Sequence, residues 1–144
     1  MIGDLFSQLR RDEGVRYTPY QDSLGNWTIG VGHLIKSNEY WLKAAVMTEA
    51  DVSNLLADDV NSVTAQLIQF PWFLDLDSVR QGALTNMAFN LGVVGLLHFP
   101  SMIHCLTVQD WQGAHDQALN SVWARQVGIR ANRIAVQLLL GTWQ

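Results

Sequence analysis

The sequence predicts an α+β, mostly helical protein, with a small N-terminal β-hairpin lobe and a larger helical lobe. Three observations predict it. Apolar residues recur at helical spacing over most of the chain from Thr48 onward, and only Trp27 to Val31 alternates with period two. Residues that start or stop helices (Thr48, Asp77, Gly92, Pro100, Asp110, Gly141) divide the helical part into separate helices. At 144 residues the chain fits a single domain. Residues from about 14 to 47 would form the hairpin lobe and about 48 to 70 an interlobe helix. The helical lobe would take about 71 to 144 together with a first helix over 2 to 13.

Bulk composition narrows the function. Charged residues make up 15% of the chain and apolar residues 49%, so a sizeable core is available. No apolar run reaches the ~20 residues needed to span a bilayer. The N-terminus has an early acid and no basic flank before a hydrophobic block, so it does not read as a secretory signal. Cys105 is the single cysteine, which rules out an intrachain disulfide; its apolar neighbours predict a small buried hydrophobe rather than a nucleophile. A net charge of −4 argues against nucleic acid as a partner. Arg125, Arg130 and Arg133 nevertheless cluster after the last acid, Asp116. They read either as a solvated basic helix face or as a positive wall near an anionic group.

The first helix carries Ile2, Leu5, Phe6 and Leu9 on one stripe, and Glu13 falls next on it. Gly14 supplies the left-handed residue that ends a helix. Glu13 thus reads as a helix-terminal acid on the apolar side. There burial and the negative end of the helix dipole would favour its protonated form, as a general acid requires. An ordinary surface glutamate in a last turn fits the same pattern. In the period-two segment Trp27, Ile29 and Val31 would pack, while the other face carries Thr28 and then only Gly30 and Gly32. Asp22 to Asn26 is turn chemistry, which places Asp22 and Thr28 on opposite arms of a hairpin and surrounds Asp22 with backbone donors that keep it ionised. Two carboxyls whose surroundings push them apart in acidity are the pairing that glycoside cleavage uses.

Lys36 to Met47 is weakly patterned, with Tyr40, Trp41 and Leu42 suggesting a packed loop or short helix. Thr48 caps a long helix whose stripe runs through Val52, Leu55, Leu56, Val60, Val63 and Leu67. Asp59 lies on that stripe. It either pairs with His33 or edges the stripe and faces water. Asp77 would cap a helix closed by Gly92, and Val93 to Phe99 would form a short apolar segment. Ser101 would cap Met102 to Leu106, Asp110 would cap Trp111 to Leu119, and a last helix would run from about Ile129 to Leu140. The histidines and Cys105 show no metal-ligand spacing, and Gly30-Val31-Gly32 lacks the rest of a dinucleotide fingerprint.

Asp12-Glu13-Gly14, then Tyr20-Gln21-Asp22 with Gly25, then Thr28-Ile29-Gly30-Val31-Gly32-His33 closely resemble, in order and spacing, the signature of the phage-type lysozymes (T-even phage endolysins, glycoside hydrolase family 24). Leu84 to Gly92 resembles that family's central helix; Ser121 to Trp123, Arg130 to Arg133 and Gly141 to Trp143 resemble its C-terminal end. Ile35 to Val46 is shorter than in the T-even enzyme. The resemblance implies a two-lobe lysozyme-like fold. It also implies a muramidase in which Glu13 protonates the glycosidic oxygen while Asp22 and Thr28 hold an attacking water, giving inversion. It makes Arg130 the partner of the acid, and His33 with Asp59 a structural ion pair. Leu34, Phe89, Met102 and Gln117 fall at cleft positions, the last two where the family has polar residues. No cofactor or metal is expected, the partner is bacterial peptidoglycan, and a monomer is expected. Synthesis in a bacterial host cytoplasm and action on the periplasmic wall after holin-type release or delivery would follow. Two other readings share these residues: a delivered wall-lytic toxin, paired with an inhibitor or immunity protein, and a non-catalytic peptidoglycan-binding module.

Overall fold

A computed structural model describes residues 4–144. The order of elements is α1 (Leu5–Glu13), β1 (Arg16–Gln21), β2 (Trp27–Gly30), β3 (His33–Leu34), a 3-10 helix (Ser37–Ala44), α2 (Glu49–Leu67), α3 (Pro71–Leu74), α4 (Ser78–Leu97), α5 (Pro100–Thr107), α6 (Trp111–Leu119), α7 (Val122–Val127) and α8 (Ile129–Leu140). The result is an α+β, mostly helical, lysozyme-like fold with one small antiparallel sheet. The chain packs as two compact units. The smaller is Leu9–Ser62; the larger takes in Val63–Gln144 and the start of α1 through Gln8.

In the smaller unit the sheet has three strands in the order β1-β2-β3, one more than the expected hairpin. The extra strand follows from Gly30 and Gly32, whose positive φ values of 67° and 69° turn the chain back after four residues of β2. Strict alternation across Trp27 to Val31 therefore does not hold. Trp27 is 39% exposed, Ile29 is buried, and Val31 lies in the turn rather than on the strand, though it too is buried. Thr28, expected on an open face, is buried. The 3-10 helix buries Leu42 and leaves Tyr40 and Trp41 exposed, their rings edge-on at 5.6 Å. At the start of α2, Thr48 accepts the Asp51 N–H (3.1 Å) and Asp51 accepts the Thr48 N–H (2.9 Å), a reciprocal cap.

Helix α1 is described from Leu5, after a bend at Asp4. Ile2 lies outside the described residues, Asp4 accepts the Ser7 N–H at 2.8 Å just before the helix, and Phe6 is 43% exposed. In the larger unit α4 and α8 pack around a core that includes Leu84, Met87, Ile134 and Leu138. Asp77 caps α4 through the Arg80 N–H at 3.0 Å. Gly92 (φ 77°) breaks this helix without ending it, and the apolar stretch beyond resumes as its last turn. The cap of α5 is Phe99 rather than Ser101, because Pro100 occupies the first helical position, where a fixed φ and a missing N–H carry no penalty. Helices α3 and α7 were not expected. The first opens on Pro71, and the second is capped by Ser121, whose hydroxyl accepts the Ala124 N–H at 3.0 Å.

Candidate active site

Glu13 is the last residue of α1. Gly14 follows at φ 77°, and its N–H closes the helix on the Arg10 carbonyl at 3.0 Å. The glutamate is half-buried, and its carboxyl lies over Gly32: a Cβ built there would stand 2.7 Å from Oε2 and 3.1 Å from Cδ. Only glycine admits this approach, and it also permits the left-handed backbone of the turn. The second glycine of the Gly30-Val31-Gly32 turn is thus the seat of the helix-terminal acid.

At the other turn of the sheet, Asp22 Oδ1 accepts the backbone N–H groups of Leu24 (2.9 Å) and Asn26 (2.8 Å). The Asn26 backbone donor, joined by those of Leu24 and Gly25 and by the Asn26 side chain, holds the Asp22 carboxyl below the usual aspartate range against a smaller opposing effect of burial. Asn26 also ties the threonine to this turn, since its carbonyl accepts both the Asp22 N–H (2.9 Å) and the Thr28 hydroxyl (3.1 Å). In the β1–β2 register Tyr20 faces Thr28, so alternation puts Asp22 and Thr28 on one face as diagonal neighbours. Thr28 is also directly opposite Leu34 on β3, and Leu34 is 54% exposed.

His33, next to Leu34, is clamped between two carboxylates. Nδ1 lies 2.8 Å from Asp59 and Nε2 lies 3.0 Å from Glu39. Both bonds favour the imidazolium; Asp59 is the larger influence, and together they outweigh burial and raise the His33 pKa. Glu39 and Asn26 are site neighbours that sequence reasoning missed. In the sequence Asn26 reads only as part of a turn, and Glu39 sits in the weakly patterned segment.

The remaining expected site residues lie in the larger unit. Arg130 is buried and gives Nε–H (3.0 Å) and Nη2–H (2.8 Å) to Asn86 Oδ1. The three C-terminal arginines do not share one environment, since Arg125 is exposed and Arg133 half-buried. Phe89 is half-buried on α4. Gln117 is exposed and lines a cavity of about 470 Å³ together with Leu91, Phe99, Ser101, Met102 and Trp123. Met102, also expected at the cleft, lines that cavity and is buried in the core. Cys105 is half-buried, with its thiol pKa raised chiefly by burial and further by Asp110. Among the described residues no group of three or more His, Cys, Asp and Glu side chains is arranged to hold a metal ion.

A mostly helical chain with a small antiparallel sheet, a glutamate closing its first helix and an aspartate held in its first hairpin has the make-up of a lysozyme-like protein. Comparison with known proteins gives the family. The sequence model of the phage lysozyme family matches residues 10–135. The chain belongs to the phage lysozyme family, and with it to the glycoside hydrolases. It is 31% identical to the pre-baseplate central spike protein Gp5 of Enterobacteria phage T4, over 92% of this chain but only 27% of that protein. It is 28% identical to the probable T4-type lysozyme 2 of Dictyostelium discoideum, over 99% of this chain and 97% of that one. A SAR-endolysin of Enterobacteria phage P21 is 30% identical, over 73% of this chain and 61% of that one.

Proposed function

We propose that this chain is an endolysin-type muramidase. It hydrolyses the β-1,4 bond between N-acetylmuramic acid and N-acetylglucosamine in bacterial peptidoglycan with inversion, and it serves host cell lysis at the periplasmic wall. Family membership implies the polymer, and the similarity to endolysins supports the biology. The observation that carries the mechanism is the disposition of two carboxyls in the smaller unit, one seated on the β2–β3 turn and one held in the β1–β2 turn.

Glu13 gives its proton to the glycosidic oxygen as the bond to the leaving sugar breaks. A water attacks the anomeric carbon from the other face and loses its proton to Asp22. Backbone donors occupy Asp22 Oδ1, while Oδ2 accepts only the longer bond from Asn26 Nδ2 (3.5 Å), which makes it the better-placed base. The Thr28 hydroxyl spends its proton on the Asn26 carbonyl, which leaves its lone pairs as acceptors for the water. The water mechanism calls for a carboxyl separation of roughly 6.5–9.5 Å, against ~5 Å for a covalent route. Leu34, Phe89 and Gln117 are the proposed sugar contacts, and Arg130, His33 and Asp59 support the site. No cofactor enters the scheme. NMR of the first product from a soluble chito-oligomer tests it. The scheme expects the inverted anomer, and a retained anomer would overturn the water mechanism.

The similarity to a phage spike protein favours a second setting for the same chemistry, in which the chain is the wall-cutting part of a larger delivery assembly. Recovery of the protein in purified particles rather than free in the lysate would select that setting.

A further inference from the structure

We propose that Gln8 and Gln137 are positioning residues for Arg130: with Asn86 they form a one-way chain of amides, anchored on the Val79 carbonyl, that fixes the orientation of the guanidinium. The proposal rests on reading Arg130 as a supporting residue of the reaction.

All four side chains are buried, and Gln8, Asn86 and Gln137 have no exposed surface at all. Gln137 Nε2 donates to the Val79 carbonyl at 2.8 Å, and Gln8 Nε2 donates to Gln137 Oε1 at 2.6 Å. Asn86 Nδ2 donates to Gln8 Oε1 at 2.8 Å, and Asn86 Oδ1 then receives the two Arg130 N–H groups. The direction of this chain is forced from both ends. A guanidinium can only donate and a backbone carbonyl can only accept, whereas each amide has one end of either kind. Turning any one of the three amides over would set like against like at both of its joints. The Val79 carbonyl therefore enforces the same Asn86 edge that Arg130 requires, through two residues that make no hydrogen bond to the arginine. Two donors converging on one oxygen fix the guanidinium plane as well as its place.

The residue types sharpen the point. A core position filled by two glutamines costs desolvation that leucine or methionine would avoid, and an apolar pair of similar volume often stabilises a protein. Orientation of the cation gives Gln8 and Gln137 a role that an apolar pair could not fill.

The test combines steady-state kinetics with the ¹⁵N–¹H signal of Arg130 Nε–H in Gln8→Leu, Gln137→Leu and Gln137→Glu. Gln137→Leu is expected to lower kcat roughly ten-fold or more with KM unchanged, because small misplacements of supporting groups are costly, and to shift or broaden the Nε–H signal. In Gln137→Glu a protonated carboxyl still donates to Val79 and accepts from Gln8. Its kcat should match wild type at acidic pH and fall away as the introduced group ionises. Wild-type kcat with an unchanged Nε–H signal in both leucine variants would overturn the proposal. Should those variants fail to fold, a pH-independent ratio of Gln137→Glu to wild type would overturn it equally. If wild type releases no product from peptidoglycan, the muramidase reading fails separately, and the Nε–H signal still decides the amide chain.

Discussion

Asp22 draws its hydrogen bonds from its own turn, and the chemistry proposed for it depends on them. Because these donors lower its pKa, with the Asn26 backbone N–H first among them, the carboxylate persists to more acidic pH than an ordinary aspartate. The acid limb of kcat/KM that reports Asp22 should therefore fall below about 3.9, the usual aspartate value; a limb above that value would contradict the assignment. Thr28→Glu puts a carboxylate where the water is proposed to sit. Loss of turnover, or a glycosyl adduct trapped in a mass spectrum, is expected, whereas full wild-type turnover would remove Thr28 from the mechanism.

His33 makes a prediction of opposite sign. Its pKa is raised in the folded state, so its pairing stabilises the protein fully below about 6.5, the unfolded value, and fades as pH rises through the higher folded value. Asp59→Asn should cost about 2 kcal/mol at pH 6, a typical value for a hydrogen bond to a charged group, and clearly less in alkaline buffer. Thermal unfolding at the two pH values, with exposed Asp58→Asn as the control, measures it. Asp51 would be a poor control because it closes the cap of α2.

Among elements, the β2–β3 turn is constrained by its glycines. Gly32→Ala meets two penalties, a left-handed backbone and a Cβ 2.7 Å from Glu13 Oε2. A stability loss of about 1–2 kcal/mol is expected from the backbone, with kcat reduced at least ten-fold as the carboxyl is pushed aside. Activity equal to wild type would show that Glu13 needs no such seat. The same turn marks the limit of reading periodicity. Trp27, Ile29 and Val31 look like one packed face, but alternation says nothing about where a strand ends, and two glycines of positive φ end it at residue 30. Long helices were legible because cap and stripe agree, as in Asp77 with α4 and Gly141 after α8. Short ones were not. Helices α3 and α7 span four and six residues, too few to repeat a stripe, and only Pro71 and Ser121 announced them.

Across the whole molecule, local chemistry was legible and long-range polar pairing was not. Glu13, Asp22 and Thr28 stand in a short stretch whose turns and helix end are written in neighbouring residues. Pairing of Asp59 with His33 could be suspected because a carboxylate on an apolar stripe needs a partner. Glu39, the second acid on that histidine, gave no such signal. The buried amides Gln8, Asn86 and Gln137 come from α1, α4 and α8, and each reads singly as an ordinary polar residue on a helix.

The central claim is that Glu13 donates the proton that breaks a muramic acid to glucosamine bond. Mass spectrometry of the fragments released from purified peptidoglycan tests it most directly. Wild type should release fragments ending in reducing N-acetylmuramic acid, and Glu13→Gln should release almost none. Fragments ending in reducing glucosamine, fragments carrying an anhydro ring, or equal release by the two proteins would contradict it.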